Sequence, residues 1–381
     1  MKGGDLMKKF LMIALALVLA FALCACGNEP SEPQKPESPA ETPSEPEVPE
    51  EEKTTEEIPD PEISPYLSII YMQDNPETIS EREIVFYTYD IISKVLKEEC
   101  IIPCDSAYAS GVVSKYDNVI YYSSNIEPGN YFGGNCLWIY DLETGKASIL
   151  NDENHEYNDI LLLDENTLLT MMVTFEHPIM PVILDLETKE FTYMADANNE
   201  PFIYTSGPTQ PIYNYKTGLF SCIYWNEDEE RGDYSSFEGS IDHYLTLVSS
   251  DLVKNPDKIF THNARIDEMN MTSAVQISEN ELLVTMKNVF YHDAPWEYYS
   301  VIFEENETTF TKVVCPYPYA DVVANLYTID EGKTFYFYLY GDKLGNLPGI
   351  YSYNTETNEL IPILLNNPEN NGHYVNFSLV G

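Results

Sequence analysis

The sequence predicts an all-β chain assembled from repeated four-stranded antiparallel units, and three observations predict it. The first is a stretch that recurs. Leu137-Trp-Ile-Tyr-Asp-Leu-Glu-Thr-Gly-Lys-Ala-Ser-Ile-Leu150 returns as Val182-Ile-Leu-Asp-Leu-Glu-Thr-Lys-Glu-Phe-Thr-Tyr-Met194 and as Gly349-Ile-Tyr-Ser-Tyr-Asn-Thr-Glu-Thr-Asn-Glu-Leu-Ile-Pro-Ile363. Each copy is an apolar run, a polar turn carrying Glu-Thr, and a second apolar run, the pattern of a β-hairpin. Copies at intervals of about fifty residues indicate a repeat architecture. The second observation is composition: 30 tyrosines and 16 phenylalanines with few helix-period runs favour strands. The third is that the chain from Tyr66 onward divides into groups of four short apolar runs.

The elements follow in order. Residues 7–26, Met-Lys-Lys-Phe-Leu-Met-Ile-Ala-Leu-Ala-Leu-Val-Leu-Ala-Phe-Ala-Leu-Cys-Ala-Cys, place two lysines before an apolar core that ends in small residues, a secretory signal. Residues 1–26 are therefore expected to be a leader, with Met7 an alternative start. Residues 27–65 hold ten prolines, 13 acidic residues, two lysines and no aromatic residue. Such a segment cannot bury enough apolar surface to offset ordering entropy and is expected to be an extended tether. At about 3.1 Å per residue it would reach on the order of 100 Å.

Residues 66–381 form the expected folded domain. Tyr66-Leu-Ser-Ile-Ile-Tyr, Ile84-Val-Phe-Tyr-Thr-Tyr and the run from Ser93 to Ile101 are three strands. The second unit is Gly111–Ser114, Asn118–Ser123 and the Trp138 hairpin. The third is Asp159–Leu163, Thr167–Val173 and the Leu184 hairpin. The fourth is Pro211–Tyr215, Leu219–Tyr224, Tyr244–Val248 and Lys258–Phe260. The fifth is Ser273–Ile277, Glu281–Met286, Tyr299–Phe303 and Phe310–Val314. The sixth is Val322–Tyr327, Thr334–Leu339, Ile350–Tyr353 and Leu360–Leu364. Four antiparallel strands per repeat is the pattern of a β-propeller blade, and blades stack because one sheet cannot bury both its faces alone. The first unit lacks one strand and the chain has one run left, Tyr374-Val-Asn-Phe-Ser-Leu-Val. Its return as the innermost strand of the first blade completes six blades and closes the ring. Seven blades is the competing count, and a pair of β-sandwiches the more distant one.

The domain resembles the six-bladed TolB-like propellers carried by many bacterial lipoproteins. The resemblance spans residues 66–381 and is architectural, without a Trp-Asp or Tyr-Trp-Thr-Asp signature. Leu23-Cys24-Ala25-Cys26 resembles a bacterial lipobox, which implies acylation of Cys26 and attachment to a membrane. Cys24 departs from the small or hydroxyl residue usual at its position. Two or three acyl chains make such attachment stable where a single chain is marginal. The implied location is the outer side of the cell membrane, and the long tether suits the thick wall of a Gram-positive bacterium.

Charge narrows the function. Twenty basic residues face 63 acidic ones, a net charge of −43. The leader carries +2 and the tether −11, which leaves −34 on the 316 residues of the domain. Nucleic acid is excluded as a partner, since phosphate binding needs a basic footprint. The field repels anions and draws cations.

In a propeller the turns joining strands one to two and three to four share a face, and here they are short. The opposite face carries the long connections 125–135, 226–240, 292–297 and 341–347. Long loops on a rigid scaffold are where binding concentrates. That face nominates Tyr131, Phe132, Trp225, Tyr234, His292, Trp296 and Tyr298 as ligand-binding residues, because exposed rings stack on sugars or pack on peptides. The competing role of each ring is to cover strand ends. The expected partner is a carbohydrate, a peptide or another envelope protein, met by a monomer. The alternative is a glycan-cleaving enzyme whose carboxylates converge on the channel, with Asp159, Asp321 and Asp233 near the strand entrances.

No cofactor is expected. Asn226-Glu-Asp-Glu-Glu-Arg-Gly-Asp233 could supply calcium ligands, but it lacks EF-hand spacing and reads better as a solvated insertion. Asp152-Glu-Asn-His-Glu156 reads as a solvated connection. Histidines 155, 177, 243, 262, 292 and 373 show no metal-binding spacing. Neither a Gly-x-Ser-x-Gly elbow nor a phosphate-binding glycine loop occurs. Beyond the lipobox, Cys100, Cys104, Cys136, Cys222 and Cys315 are odd in number and cannot all pair; Cys100 and Cys104 are near enough in sequence to pair locally, and buried free thiols are the alternative.

Overall fold

The computed structural model describes residues 63–381 except 78–80, 104–108, 126–134, 174–178, 197, 204–210, 216–217, 228–242, 253–258, 266–268, 279, 289–296, 305–306, 316–322 and 341–344. Every described residue belongs to the compact unit Asp60–Gly381. Among the described residues regular structure is strand, apart from one short 3-10 turn at Pro368–Asn370.

The chain opens with β1 (Tyr66–Asp74), β2 (Arg82–Asp90) and β3 (Val95–Pro103), an antiparallel meander. Seven strands follow in one sheet: β4 (Ser110–Ser114), β5 (Val119–Asn125), β6 (Asn135–Asp141), β7 (Lys146–Asp164), β8 (Thr167–Val173), β9 (Met180–Asp185) and β10 (Phe191–Tyr193). Three four-stranded meanders come next. The first is β11 (Ile212–Asn214), β12 (Leu219–Glu227), β13 (His243–Asp251) and β14 (Phe260–Arg265). The second is β15 (Met269–Ser278), β16 (Glu281–Asn288), β17 (Glu297–Glu304) and β18 (Glu307–Val313). The third is β19 (Val323–Thr328), β20 (Thr334–Leu339), β21 (Gly349–Asn354) and β22 (Glu359–Leu365). The last strand, β23 (His373–Val380), pairs antiparallel with β1 from Tyr66 opposite Val380 to Met72 opposite His373. The leftover C-terminal run thus joins the first sheet, whose order is β23-β1-β2-β3.

The seven-stranded sheet corrects one expectation. The stretch Asp152–Glu156, read as a solvated connection, lies inside β7. This 19-residue strand pairs with β6 through its first part and with β8 through its second. The Asn135 to His155 pairing keeps the segment extended, and the His155 and Tyr157 rings meet at 6.1 Å. Two four-stranded halves therefore share one long strand.

The outer hairpins explain why the recurring stretch has its letters. Asp141 Oδ1 accepts from the backbone N–H groups of Glu143 and Thr144 at 2.9 and 2.8 Å, and Gly145 takes φ 65°. Asp185 accepts from Thr188 N at 2.7 Å with Lys189 at φ 62°, and Asn354 accepts from Glu356 and Thr357 with Asn358 at φ 57°. The side-chain oxygen satisfies the turn's free donors, and the fifth residue takes the left-handed conformation that completes the reversal. These backbone donors are the first cause holding the Asp141 and Asp185 carboxyls below the usual range. Asp90 builds the same turn before Lys94 at φ 58°, without the Glu-Thr letters.

Six apolar clusters form the interior, and each joins neighbouring sheets or the two halves of the long one. Ile70, Ile84 and Phe86 meet Val113, Ile120 and Tyr122. Val112, Tyr121 and Leu137 meet Ile160, Leu168 and Val182. Leu161, Leu169 and Met171 meet Phe220 and Cys222. Ile212 meets Leu282, Val284 and Val301. Val275, Leu283 and Tyr298 meet Phe335, Phe337 and Tyr351. Tyr327, Tyr336 and Ile350 meet Leu67, Ile69 and Phe377. Burial of these side chains is the main favourable term, at about 1.5–3 kcal/mol for each fully buried Leu, Ile or Phe.

Polar bonds fix how the first two sheets seat on each other. Tyr66, fully buried, donates from its hydroxyl to Val113 O at 2.7 Å and accepts from Lys115 N at 3.2 Å. Val113 N donates to Ser68 Oγ at 2.9 Å. The Lys115 ammonium sits 4.1 Å from the Tyr66 ring centroid, a cation–π contact. A buried donor or acceptor left unpaired costs about 1–3 kcal/mol, so this seat has one register.

Among the described residues the cysteines are thiols. Cys100 is free, and burial, then Glu99 and Glu98, push its thiol up to about 12. Of the two readings, a local pair or free thiols, Cys100 takes the second; Cys104 lies outside the described residues. Cys136 is buried and free, its thiol pushed up to about 11 chiefly by burial.

Candidate functional site

The expected ligand-binding residues fall unevenly. Tyr131, Phe132, Tyr234, His292 and Trp296 lie outside the described residues, as does Cys26. Trp225 sits in β12 opposite Leu245, two residues before the strand ends at Glu227. Tyr298 is 4% exposed and packs within the cluster of Leu283, Phe335 and Tyr351. Its expected place on the surface is corrected: β17 begins at Glu297, so Tyr298 is already a strand residue on the inward side of the pleat. The acidic loop proposed for calcium has Asn226 and Glu227 at the end of β12 and its remainder outside the described residues. Among the described residues no three His, Cys, Asp or Glu side chains cluster as a metal site.

The described residues assemble another constellation near the same long connections. Tyr340 directly follows β20 at the base of the 341–347 connection and is 60% exposed. Its ring meets Tyr338 edge-on at 4.9 Å, and Tyr338 stacks on Tyr374 at 4.2 Å with 21° between planes. Tyr374 continues to Phe377 at 5.8 Å, and Phe377 to Tyr327 at 5.2 Å. A ladder of rings thus leads from solvent into the protein.

Asn366 sets the ladder's geometry. Its Nδ2 donates to the Tyr338 hydroxyl at 2.7 Å, and its Oδ1 accepts from Tyr374 N at 3.3 Å. One side chain therefore ties β20 to the start of β23 and holds the stacked pair in register.

At the inner end stands Asp159. It occupies an irregularity of β7 between Asn158 and Leu161 and takes φ 49°, the left-handed region. Asp tolerates that conformation better than most residues. Asn376 of β23 donates to Asp159 Oδ1 at 3.1 Å, and the next amide, Ile160 N, donates to Ser110 Oγ of β4 at 3.2 Å. Three strands, β4, β7 and β23, meet at this position. Both Asp159 and Tyr374 keep partial access to solvent although protein crowds them on most sides.

Crowding decides the electrostatics. Burial disfavours the carboxylate of Asp159 and pushes its carboxyl up to about 6, with the Asn376 bond opposing. The Tyr374 hydroxyl is raised well above the usual phenol range by burial first, then by Tyr327, Tyr340 and Asp159. The site presents an exposed ring, a stacked pair, an amide donor and one carboxyl that titrates near neutrality. Its chemistry is that of stacking and hydrogen bonding to an uncharged ligand with flat apolar faces.

These sheets and the apolar clusters between them define an all-β protein of the propeller type. No protein-family model matches the chain, and no curated protein matches it. Solved structures do resemble it. TolB from Acinetobacter baumannii is 11% identical with a TM-score of 0.40, over 79% of this chain and 69% of that one. The β-propeller domain of the Trilobed protease from Pyrococcus furiosus is 12% identical at 0.43, over 78% and 81%. The chain spans half the length of the AtxE2 isopeptidase, at 11% identity and a TM-score of 0.40 over 80% of this chain. At such identity these likenesses concern fold and carry no activity across.

Proposed function

We propose that the chain is an exported, lipid-anchored six-bladed propeller that binds carbohydrate at the long-loop mouth of its channel. Six clusters support the blade count, since each joins two neighbours and the last returns to the first sheet. The pairing of β23 with β1 supports closure of the ring by the C-terminus. The lipobox-like Leu23–Cys26 supports acylation of Cys26, with residues 27–65 as the spacer. Replacing Cys26 by serine should release the protein from the membrane fraction into the medium; continued sedimentation with membranes would sink the anchor.

The observation that carries the binding reading is the ladder Tyr340–Tyr338–Tyr374 ending at Asn376 and Asp159. Pyranose rings present apolar C–H faces to aromatic rings and hydroxyls to amides and carboxyls, and this order of groups matches both. Titration of wild type and Tyr340→Ala with a panel of neutral oligosaccharides is the test. Binding is expected, with a loss on truncation of roughly tenfold, or about 1.4 kcal/mol. If no glycan binds, or if Tyr340→Ala binds equally well, the reading fails.

A second reading rests on Asp159. A carboxyl held near neutrality is what a glycosidase uses as its general acid. Release of reducing ends from the same panel, lost in Asp159→Asn, would move the assignment to an enzyme.

A further inference from the structure

A second concavity lies where β11, β15 and β19 run into their turns, a cleft of about 330 Å³. It is lined at the C-terminal ends of these strands, by Tyr213, Tyr215, Ile277, Tyr327 and Glu331 among others, with Leu379 of β23 closing one side. Beside it Gly381 lies against both Tyr215 and Pro65. Of the Tyr340 ladder only its innermost ring, Tyr327, reaches this lining; Tyr340, Tyr338 and Tyr374 do not.

We propose that this cleft binds a small organic ammonium ion. Aromatic rings attract cations through their π faces, and three tyrosines contribute to the walls. Aliphatic side chains between them favour alkyl groups, so a weakly hydrated alkylammonium loses least on entering. Among the described residues lining the cleft none is basic, and Glu331 stands on its rim. Beside it the Asp330 carboxylate is held by Thr328 Oγ1 at 3.1 Å and Thr334 N at 2.7 Å. The Tyr213 hydroxyl is pushed up to about 12 by burial first and by Asp164 next. A volume near the lower end of ligand pockets selects a compact guest. The acidic field of the whole domain would concentrate such cations at its surface.

The turn supplies a clean variant. Glu331 and Gly332 take φ 58° and 83°, a pair of left-handed positions that favours Asn followed by Gly. Glu331→Asn therefore keeps the turn while removing the charge. The probes are choline and its neutral carbon isostere 3,3-dimethyl-1-butanol, titrated into the full chain by NMR. Choline is expected to bind at least about tenfold more tightly than the isostere and to weaken as salt rises. Glu331→Asn should weaken choline by roughly three- to tenfold and leave the isostere within about twofold. Ser278→Trp, placing bulk in the lining, should block both. Tyr340→Ala should leave choline binding unchanged, which separates this cleft from the glycan site. Equal affinity for the two probes, no binding up to about 50 mM, or no change in Glu331→Asn would overturn the proposal. Loss of choline binding in Tyr340→Ala would overturn it too, by moving the cation to the other mouth.

Discussion

Phe377→Ala is expected to destabilise the domain by about 3–5 kcal/mol, the range for truncating a buried phenylalanine. Phe377 is 1% exposed and packs with Leu67 and Ile69 of β1 and Tyr336 and Ile350 of the last meander, against the Tyr327 and Tyr374 rings. Its strand is the final one of the chain and its partner the first, so the cavity would open at the join between the two ends. Urea denaturation should show a lower midpoint with an unchanged slope if the denatured state is unaltered. Removing residues 373–381 altogether should do more. The first seven residues of β1 are buried, and deletion would strip its hydrogen-bonded neighbour and bare that edge. That chain should aggregate. A loss below about 1 kcal/mol for Phe377→Ala would mean that β23 adds little to the interior, and the ring-closure argument would fail with it.

Asp159→Asn should stabilise the protein at alkaline pH and change little in acid. The folded-state carboxyl sits at about 6, above its ordinary value of 3.8. A group raised in this way contributes its full stability below the ordinary value and loses it as pH rises through the folded value. Wild type therefore carries a burial cost at pH 8 that the amide avoids. The gap of about two units is on the order of 3 kcal/mol at most, because each unit is worth about 1.4 kcal/mol. Asparagine accepts the left-handed φ at this position and offers an oxygen to Asn376. Thermal melts of both proteins at pH 4 and pH 8, compared as differences, cancel the titration of the other carboxylates. Variants equal at both pH values would mean that Asp159 is solvated like a surface carboxylate. Retention of the carboxylate despite this cost is the expected mark of a residue that a ligand uses.

The sequence by itself determined the strands, because alternation and turn chemistry are local. The Glu-Thr hairpins that begin at Asp141, Asp185 and Asn354 are readable from a side chain that caps its own turn. The count of apolar runs was enough to send Tyr374–Val380 back to the first sheet, since an incomplete unit and a spare strand complement each other.

Only the tertiary structure decided what occupies the site. Asp159, Tyr338, Tyr340, Tyr374 and Asn376 come from three strands and a strand end, separated by up to 217 residues between Asp159 and Asn376; Asp159 was nominated by its place near a strand entrance, and no spacing announces the others. The irregularity in β7 aims Asp159 at β23, and a one-residue shift in a strand exchanges its faces. The same parity turned Tyr298 inward, although its letter and its neighbour Trp296 suggested a surface ring. Continuity of β7 through Asp152–Glu156 depended on β6 and β8 lying on either side of it. The capped turn at Asp90 carries Ile92-Ser93 where the others carry Glu-Thr, because the backbone needs only the first residue's side-chain oxygen and the fifth residue's left-handed conformation. Local physics sets which residues are strands; the packing of sheets on one another sets which of their side chains meet.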